Sequence, residues 1–433
     1  MLDIKYIREN ADLVQTNAEN KRMKVDIPAL LALDDRRLIL LKEVEAIRKK
    51  RNEVAEKMKS ASAEERPSLI EEGKELKVTL ATKETEYETV ESEWKTALLA
   101  VPNMTHPDSP IGASDEDNVE KKVFGEIPSP SFTPKSHVEL AEMHDLIDFE
   151  RGAKVAGAKF YFLKGKLAML EQALTQWALK LMVEEGYVPM ITPDLARDEV
   201  LLGAGFTPRG DETQIYSVEQ SDLSLIGTAE IPLGGYHMNE IIDENKLPLK
   251  YVGLSHCFRT EAGTYGRESY GLYRVHQFSK VELFIFAAPW QSEALHEELR
   301  RLEEMVFQKL GLTFRTVDIC TGDLGGPAYR KYDLEAWMWG RTSGSPPAGG
   351  GVRGGGGWGE VTSTSNCTDY QARRLNVKLR KKDGTLEFAH TLNGTAVALS
   401  RGLIAILEQY QNEDGSITVP DVLRPFTGFE RIG

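Results

Sequence analysis

The chain has 433 residues, of which 41% are hydrophobic and 28% are charged, so it is long enough for more than one domain and has a globular composition. No apolar run approaches the ~18 residues that a membrane-spanning helix needs, and the three cysteines, odd in number and far apart, favour a reduced, cytoplasmic protein without a disulfide framework. The formal net charge of −14 argues against indiscriminate nucleic-acid binding but is compatible with a local basic strip.

Residues 1–101 predict an N-terminal helical arm. A short helix is expected from Leu2 to Ala18. After it, a stripe of mostly apolar residues at alternating spacings of three and four runs from Leu30 to Met58, interrupted by Arg37 and Arg51, and resumes from Leu69 to Val101, which is a heptad pattern. About 30 residues at 1.5 Å rise make each helix roughly 45 Å long. Because only a short polar segment separates the two stripes, we expect a long antiparallel helical hairpin.

The charge of the predicted hairpin is unequal between its helices. Residues 34–59 carry nine Lys or Arg against six Asp or Glu, whereas residues 64–95 carry five against ten. The first helix contains the basic run Arg48, Lys49, Lys50 and Arg51. Two interpretations stay open from these residues: a solvated coiled-coil face, or a strip that binds a polyanion.

The rest of the chain predicts an α+β domain. Residues 102–140 are rich in Pro, Ser, Asp and Asn and are interpreted as a linker. Residues 141–433 mix buried-strand patterns with amphipathic helices, so we expect an antiparallel β-sheet flanked by helices. Residues 340–357 are almost entirely Gly, Ser and Pro, which predicts a disordered surface loop without chemistry. No GxxxxGK[ST] loop occurs, so ATP, if used, is bound without that cradle.

Polar residues are dense between Phe258 and Phe286. In an extended strand Arg259 and Glu261 share one face, either as a structural ion pair or as part of a phosphate-and-adenine site. Farther along, Glu360 and Ser363 offer the oxygen ligands that Mg²⁺ prefers.

The last candidate segment lies between His390 and Gln411. Asn393 and Thr395 precede an apolar helix in which Arg401 is the lone basic residue. A buried arginine needs a counter-charge, and an ATP phosphate would supply one.

These segments resemble the motifs of the class II aminoacyl-tRNA synthetases. Residues 258–261 (FRTE) with 274–282 (RVHQFSKVE) resemble motif 2, and residues 394–404, which include Arg401, resemble motif 3. Residues 186–195 (GYVPMITPDL) resemble motif 1, whose proline lies at a dimer interface. The resemblance therefore implies the class II fold and a homodimer.

Further segments are similar to the serine-specific branch of that class, in its bacterial and organellar form. They are TAE at 228–230, HQFSKVE at 276–282, NCTDYQ at 366–371 and TLN at 391–393. The N-terminal hairpin is similar to the tRNA-binding arm of the same branch. The resemblance covers essentially the whole chain, and by it the chain is identified as a member of the seryl-tRNA synthetases.

The resemblance implies a role for each matching residue of this sequence. Arg259 and Arg401 would be the catalytic residues, with Arg259 at the α-phosphate, and Phe278 would stack on the adenine ring. Residues implied to contact serine are Thr228, Ala229, Glu230, Glu282, Asn393 and Thr395. Residues implied to contact ATP are Arg259, Thr260, Glu261, Arg274, Val275, Phe278, Glu360, Val361, Thr362, Ser363 and Arg401, and Mg²⁺ would bind Glu360 and Ser363.

The implied function is that of a cytoplasmic serine–tRNA ligase. It would convert L-serine and ATP to seryl-adenylate and pyrophosphate, and then transfer serine to the 3′ end of tRNA(Ser), with tRNA(Sec) as a second candidate substrate. We expect Mg²⁺ and no zinc, because no cysteine stands where the zinc-dependent branch has a ligand, and we expect no membrane association. Residues implied to contact tRNA are Arg48, Lys49, Lys50 and Arg51. The alternative is a catalytically inactive synthetase-like paralog that binds RNA or a protein partner, but intact motifs 2 and 3 favour the enzyme.

Overall fold

The computed structural model describes residues 1–207, 214–261, 271–341 and 355–433. They form two compact units, Met1–Met104 and Thr105–Gly433, which we call unit 1 and unit 2. In these four ranges, no helix is both long and apolar enough to cross a lipid bilayer.

Unit 1 is helical and contains the predicted hairpin. Asp26 caps the first long helix by accepting a hydrogen bond from the Ala29 N–H at 2.8 Å, and Pro28 occupies its first turn. The loop that joins the two long helices spans only residues 61–65. The helices of unit 1 are α1 (Ile4–Glu9), α2 (Ala11–Asn20), α3 (Ile27–Ser60) and α4 (Arg66–Ala100).

The predicted heptad stripes form the interface between α3 and α4. Val44 on α3 and Leu80 and Val90 on α4 are buried. Arg37, an arginine on the stripe, fits there because its guanidinium lies 4.2 Å from the centre of the Trp94 ring. Arg51, the other stripe arginine, is exposed. The hairpin prediction is confirmed, although the apolar contact does not include every stripe position.

The short helix predicted from Leu2 to Ala18 is instead two helices, α1 and α2. The break falls at Asn10, which has a non-helical backbone and whose side-chain amide donates to the Tyr6 carbonyl at 3.0 Å. An asparagine side chain that bonds to nearby backbone competes with helix hydrogen bonding, which explains the interruption.

Unit 2 is built around one large sheet. Among the described residues its strand order is β1-β10-β11-β12-β15-β9-β8-β4, and every neighbouring pair is antiparallel except β4 with β8. The strands are β1 (Val119–Phe124), β2 (Ile147–Asp148), β3 (Phe162–Leu163), β4 (Val188–Ile191), β5 (Leu195–Arg197), β6 (Leu223–Leu225), β7 (Ile241–Asp243), β8 (Leu249–Phe258), β9 (Gln277–Ala287), β10 (Phe314–Asp318), β11 (Arg330–Met338), β12 (Gly357–Asn366), β13 (Lys378–Arg380), β14 (Leu386–Phe388), β15 (His390–Ala398), β16 (Ile417–Thr418) and β17 (Arg431–Ile432). The predicted α+β class is confirmed.

Helices pack on the sheet and divide its core. Alternate residues of β9 face opposite ways: Leu283 and Ile285 belong to the main core with α7, α10 and α12, whereas Phe284 and Phe286 belong to a smaller core with α9 and α11. The helices of unit 2 are α5 (His137–Met143), α6 (Phe149–Ala156), α7 (Gly165–Glu184), α8 (Asp198–Ala204), α9 (Glu230–Gly235), α10 (Ser292–Lys309), α11 (Tyr370–Leu375), α12 (Leu399–Gln409) and α13 (Arg424–Thr427).

The segment predicted as a linker, residues 102–140, contains secondary structure. Strand β1 pairs with β10 at the edge of the large sheet, with Val119 opposite Asp318. Because both faces of this edge strand are open, Val119 and Val123 are 49% and 38% exposed and the apolar alternation of a half-buried strand is missing. Residues 105–140 therefore belong to unit 2 and are not only a connection.

Most of the predicted disordered loop, residues 340–357, lies outside the described residues. Its two ends are described. The Gly340 N–H donates to Glu408 Oε2 at 2.9 Å, and Gly357 is the first residue of β12.

Candidate active site

Strand β9 carries the centre of the candidate site. Its side chains alternate between two faces, so Phe278, Lys280 and Glu282 share one face and line open cavities. Val281 and Leu283 point to the opposite face and are fully buried in the main core. The strand is thus anchored by one set of residues and exposes the other set to ligands.

The first of two neighbouring cavities contains most residues predicted to contact ATP. Thr260 and Arg274 are not among the residues that line this cavity, but Arg274 Nη1 is 3.5 Å from Oε2 of Glu261, which does line it. The predicted residues that line the cavity are Arg259, Glu261, Val275, Phe278, Glu360, Val361, Thr362, Ser363 and Arg401.

Arg401 has a protein counter-charge in this cavity. Its Nη1 atom lies 3.1 Å from Glu360 Oε2 and donates at 3.1 Å to the Glu360 carbonyl. Burial opposes ionisation of Glu360, but the positive charges of Arg401 and its neighbours outweigh it and lower the carboxyl pKa to about 2. The sequence predicts an ATP phosphate as the counter-charge of Arg401, whereas the folded chain supplies the carboxylate of Glu360.

The Tyr273 ring adds an aromatic wall to the same cavity. The guanidinium of Arg401 lies 4.6 Å from the ring centre, and that of Arg341 lies 4.5 Å from it. The Tyr273 hydroxyl donates to the Glu360 carbonyl at 3.3 Å. Two arginines and one carbonyl therefore fix this ring in place.

The second cavity contains most residues predicted to contact serine. Ala229 is the exception: it is fully buried in the smaller core, where its Cβ lies close to Gly253. The predicted residues that line this cavity are Thr228, Glu230, Glu282, Asn393 and Thr395. Five side chains line both cavities, and they are Arg259, Lys280, Glu360, Ser363 and Thr395.

Two carboxylates in the second cavity are withdrawn from bulk water, Glu282 being buried and Glu230 half-buried. Glu230 accepts a hydrogen bond from Gln371 Nε2 at 2.6 Å, and desolvation, reinforced by the charge of Glu282, raises its pKa to about 7. Burial also raises the pKa of Glu282, and Lys280, whose Nζ lies 2.6 Å from Glu282 Oε2, counteracts this shift. The Thr395 hydroxyl donates to the same Oε2 atom at 3.0 Å. A cationic ligand would relieve the cost of ionising both acids.

Several residues that line the cavities were not assigned a role from sequence. Lys280 precedes Glu282 by two positions, so strand alternation would have placed it on the same face. Lys331 on β11 lines the second cavity and lies 3.1 Å from Asp333. Its position depends on β11 pairing with β12, which local sequence does not reveal.

The metal prediction concerns Glu360 and Ser363, which line both cavities. In the described ranges, no group of three or more His, Cys, Asp or Glu side chains is arranged to hold a metal ion. Glu360 and Ser363 alone provide two oxygen donors, and Mg²⁺ is commonly bound by one or two carboxylates together with substrate phosphates. These donors fit a metal that arrives with a nucleotide.

The basic run on α3 is exposed in unit 1. Arg48 Nη2 lies 2.7 Å from Glu84 Oε1, and Lys50 Nζ lies 3.4 Å from Glu72 Oε1, so two of the four basic residues bridge to α4. Exposed pairs of this kind contribute little to stability, so the hairpin would survive their loss. The run is therefore available to a polyanion without loss of the hairpin.

Two family descriptions match this chain. Residues 1–105 match the seryl-tRNA synthetase N-terminal domain, and residues 215–410 match the tRNA synthetase class II core domain (G, H, P, S and T). The chain is 52% identical over 434 residues to a serine–tRNA ligase of Treponema denticola, with 100% of each chain covered. It is 51% identical to a serine–tRNA ligase of Rubrobacter xylanophilus, with 100% of this chain and 99% of the relative covered.

Solved structures show the same similarity. Seryl-tRNA synthetase from Pyrococcus horikoshii, complexed with ATP, superposes with a TM-score of 0.87 at 39% identity, covering 100% of this chain and 99% of that one. Cytoplasmic serine–tRNA ligase from Naegleria fowleri, in complex with AMP, gives a TM-score of 0.83 at 30% identity, with 100% and 98% covered.

Proposed function

The chain belongs to the seryl-tRNA synthetase family, and from that premise we propose how its residues share the activation of serine and its transfer to tRNA. It is a serine–tRNA ligase that uses ATP. The observation that carries the proposed division of roles is the set of five side chains common to both cavities, because it makes the cavity assigned to ATP and the cavity assigned to serine direct neighbours.

ATP occupies the first cavity in this proposal. Arg259 lies 5.3 Å from the centre of the Phe278 ring, so a guanidinium for the α-phosphate stands beside an aromatic face for adenine. Glu261 accepts a hydrogen bond from the adenine amino group. Arg274 and Arg401 bind the outer phosphates, and for Arg401 this means exchanging or sharing its contact with Glu360.

Serine occupies the second cavity. Its ammonium group faces Glu230 and Glu282, and its hydroxyl group reaches Asn393 and Thr395. Thr228 closes the pocket. What supports this arrangement is the pair of desolvated acids, because a buried cation is stabilised only where opposite charge compensates its lost hydration.

The chemistry is largely positioning. A serine carboxylate oxygen attacks the α-phosphorus, the bond from that phosphorus to the bridging oxygen breaks, and pyrophosphate leaves. A hydroxyl of the terminal tRNA ribose then attacks the carbonyl carbon of the adenylate, and AMP leaves. Arg259 neutralises the charge that develops on the α-phosphate in both steps. Neither step requires a side-chain nucleophile, and we assign none.

Magnesium is part of the proposal. Glu360 and Ser363 would hold the ion, and the low pKa of Glu360 keeps its carboxylate ionised for that purpose at any physiological pH. When bound, the ion neutralises charge on the departing pyrophosphate.

Transfer RNA binds the hairpin in this proposal. The basic run of α3 contacts phosphates of tRNA(Ser), and tRNA(Sec) is a second candidate because phosphate contacts carry no sequence information.

The homodimer is supported by apolar side chains exposed on α7 and β4: Ile191 is 89% exposed, and Val188 and Met169 are more than half exposed. The cytoplasmic location stays part of the same proposal.

Amino-acid-dependent exchange of pyrophosphate into ATP, measured with each of the twenty amino acids, tests the proposed function. Serine alone should support exchange. Glu282→Ala should raise the KM for serine at least about tenfold and leave that for ATP nearly unchanged, because truncating one member of a desolvated charge pair costs ~2–5 kcal/mol. Absence of serine-dependent exchange would favour the inactive paralog.

A further inference from the structure

The sheet of unit 2 is split next to the candidate active site. β12 and β15 pair only at Thr364 with Gly394, Ser365 with Asn393 and Asn366 with Leu392. Before Thr364, β12 continues along β11, and after Gly394, β15 continues along β9 with a bulge between Thr395 and Val397. Strands β12 and β15 therefore do not pair with each other at residues 360–363 and at Thr395, where both strands line the cavities.

The side chain of Glu303 bridges this split. Glu303 is fully buried on α10, a helix that packs against both β12 and β15. Its Oε2 atom accepts a hydrogen bond from the Thr362 hydroxyl at 2.9 Å, and its Oε1 atom accepts one from the Thr395 N–H at 2.8 Å. A Cβ at Gly394 would lie 3.0 Å from Oε1, so a side chain there would crowd the carboxyl group. One carboxyl group thus takes the place of backbone pairing between two strands.

Both hydrogen-bond partners of Glu303 line the candidate cavities. Thr362 lines the first cavity. Thr395 lines both cavities, and its hydroxyl donates to Glu282, the acid that faces serine in our proposal. Each oxygen of the Glu303 carboxyl group therefore contacts a residue that lines a candidate cavity. Oε2 contacts Thr362, and Oε1 contacts Thr395.

We propose that Glu303 is a positioning residue that sets the separation between the ATP-binding and the serine-binding strands, an inference that rests on the proposed function. Its role depends on the length of its side chain and on the two polar atoms of its carboxyl group, not on its charge. Burial raises the pKa of Glu303 well above its usual value, with Glu282 and Asp333 adding to the shift. A protonated carboxyl group preserves both hydrogen bonds, because Oε1 still accepts from Thr395 while the Oε2 proton points to the Thr362 oxygen.

Two substitutions separate reach from charge. Glu303→Gln retains the length and both polar ends but carries no charge. Glu303→Asp retains the carboxyl group but is one methylene shorter and cannot contact both strands. In pyrophosphate exchange, Glu303→Gln should leave both KM values within about threefold, whereas Glu303→Asp should raise the KM for serine, for ATP or for both about tenfold, as expected when one buried hydrogen bond is removed. The reverse order of the two variants would overturn the proposal.

Glu304 offers a matched control on the same helix. It is also buried, and it accepts a hydrogen bond from the Thr316 hydroxyl at 2.9 Å, but Thr316 lies on β10 and lines neither cavity. Glu304→Asp should lower the melting temperature without changing either KM. A KM change for Glu304→Asp as large as that for Glu303→Asp would mean that any loss of packing on α10 disturbs the site, and it would overturn the specific role of Glu303.

A second variant decides the question even if Glu303→Asp fails to fold. Thr362→Val removes only the hydroxyl that bonds to Glu303, on the ATP side of the bridge. We expect it to raise the KM for serine as well as that for ATP, several-fold each, because it removes one of the two hydrogen bonds of the bridge. An unchanged KM for serine would refute the bridge. Serine-dependent exchange by the unmodified enzyme in the same assay keeps this failure distinct from failure of the proposed function.

Discussion

The guanidinium of Arg401 contacts Glu360 twice, at 3.1 Å to the carboxylate and at 3.1 Å to the backbone carbonyl. The same planar group lies over the ring of Tyr273. Both contacts to Glu360 come from Nη1, while the ring contact uses the flat face of the guanidinium, which an ammonium group lacks. Arg401 is therefore oriented by the protein's own groups.

Arg401→Lys should impair ATP binding while preserving charge. A lysine has no flat face to lie over the Tyr273 ring and cannot bind a phosphate with two parallel N–H groups, so we expect the KM for ATP to rise at least about tenfold with a smaller change for serine. Arg373→Lys is the matched control: Arg373 lies 2.6 Å from Asp369 and 4.6 Å from the Phe388 ring centre, outside both cavities. Steady-state pyrophosphate exchange measures both variants. Equal kinetic effects would assign the Arg401 contacts to general stability.

Serine binding should strengthen as pH rises from about 6 to 8. The pKa of Glu230 is about 7, so Glu230 is mostly protonated below this value and mostly ionised above it. If the serine ammonium prefers the ionised acid, the KM for serine falls up to about tenfold across these two pH units. The KM for ATP serves as the internal reference. Glu230→Gln should flatten the profile, and a flat profile in the unmodified enzyme would remove Glu230 from ammonium binding.

The basic run of α3 should contribute to tRNA binding through contacts with phosphates. Lys49→Gln with Arg51→Gln removes two charges and leaves the Arg48–Glu84 and Lys50–Glu72 pairs intact, so helicity should persist. tRNA binding should weaken, and its logarithmic salt slope should drop by roughly 0.9 for each phosphate that the variant no longer neutralises.

Lys74→Gln with Lys77→Gln is the control for the arm. It removes the same charge from α4, the net acidic helix, and should leave tRNA affinity nearly unchanged. Filter binding at several salt concentrations, with circular dichroism for helicity, measures both variants. An equal decrease in affinity from both helices would mean that only net charge matters, and no decrease from either would make the hairpin structural.

The Gly-rich segment should be dispensable for adenylation. Replacing residues 342–354 by a short Gly-Ser turn retains Gly340, which bonds to Glu408, and Arg341, which contacts Tyr273. Halving the length of a loop changes its closure entropy by only about 0.6 kcal/mol. Exchange activity should stay within a few-fold, and a hundredfold decrease would reveal a function that composition does not indicate.

Local sequence was sufficient to predict the hairpin and many of the residues that line the candidate site. Heptad spacing predicts α3 and α4 because a helix interface repeats within a few residues. Motif 2 predicts Arg259, Phe278 and Glu282 because they lie on or next to two strands that are adjacent in the sequence and pair with each other. Strand alternation alone would also have added Lys280.

Other features depend on residues that only the tertiary structure brings together. Strand β1 was missed because an edge strand with two open faces has no apolar alternation. Glu303 was missed for a different reason: it lies in an ordinary amphipathic pattern, 92 positions before Thr395, its hydrogen-bond partner. The sequence by itself determined which polar groups the site contains, since motifs are local. The tertiary structure decided how those groups are oriented, since a hydrogen bond depends on distance in space and a sequence records only distance along the chain.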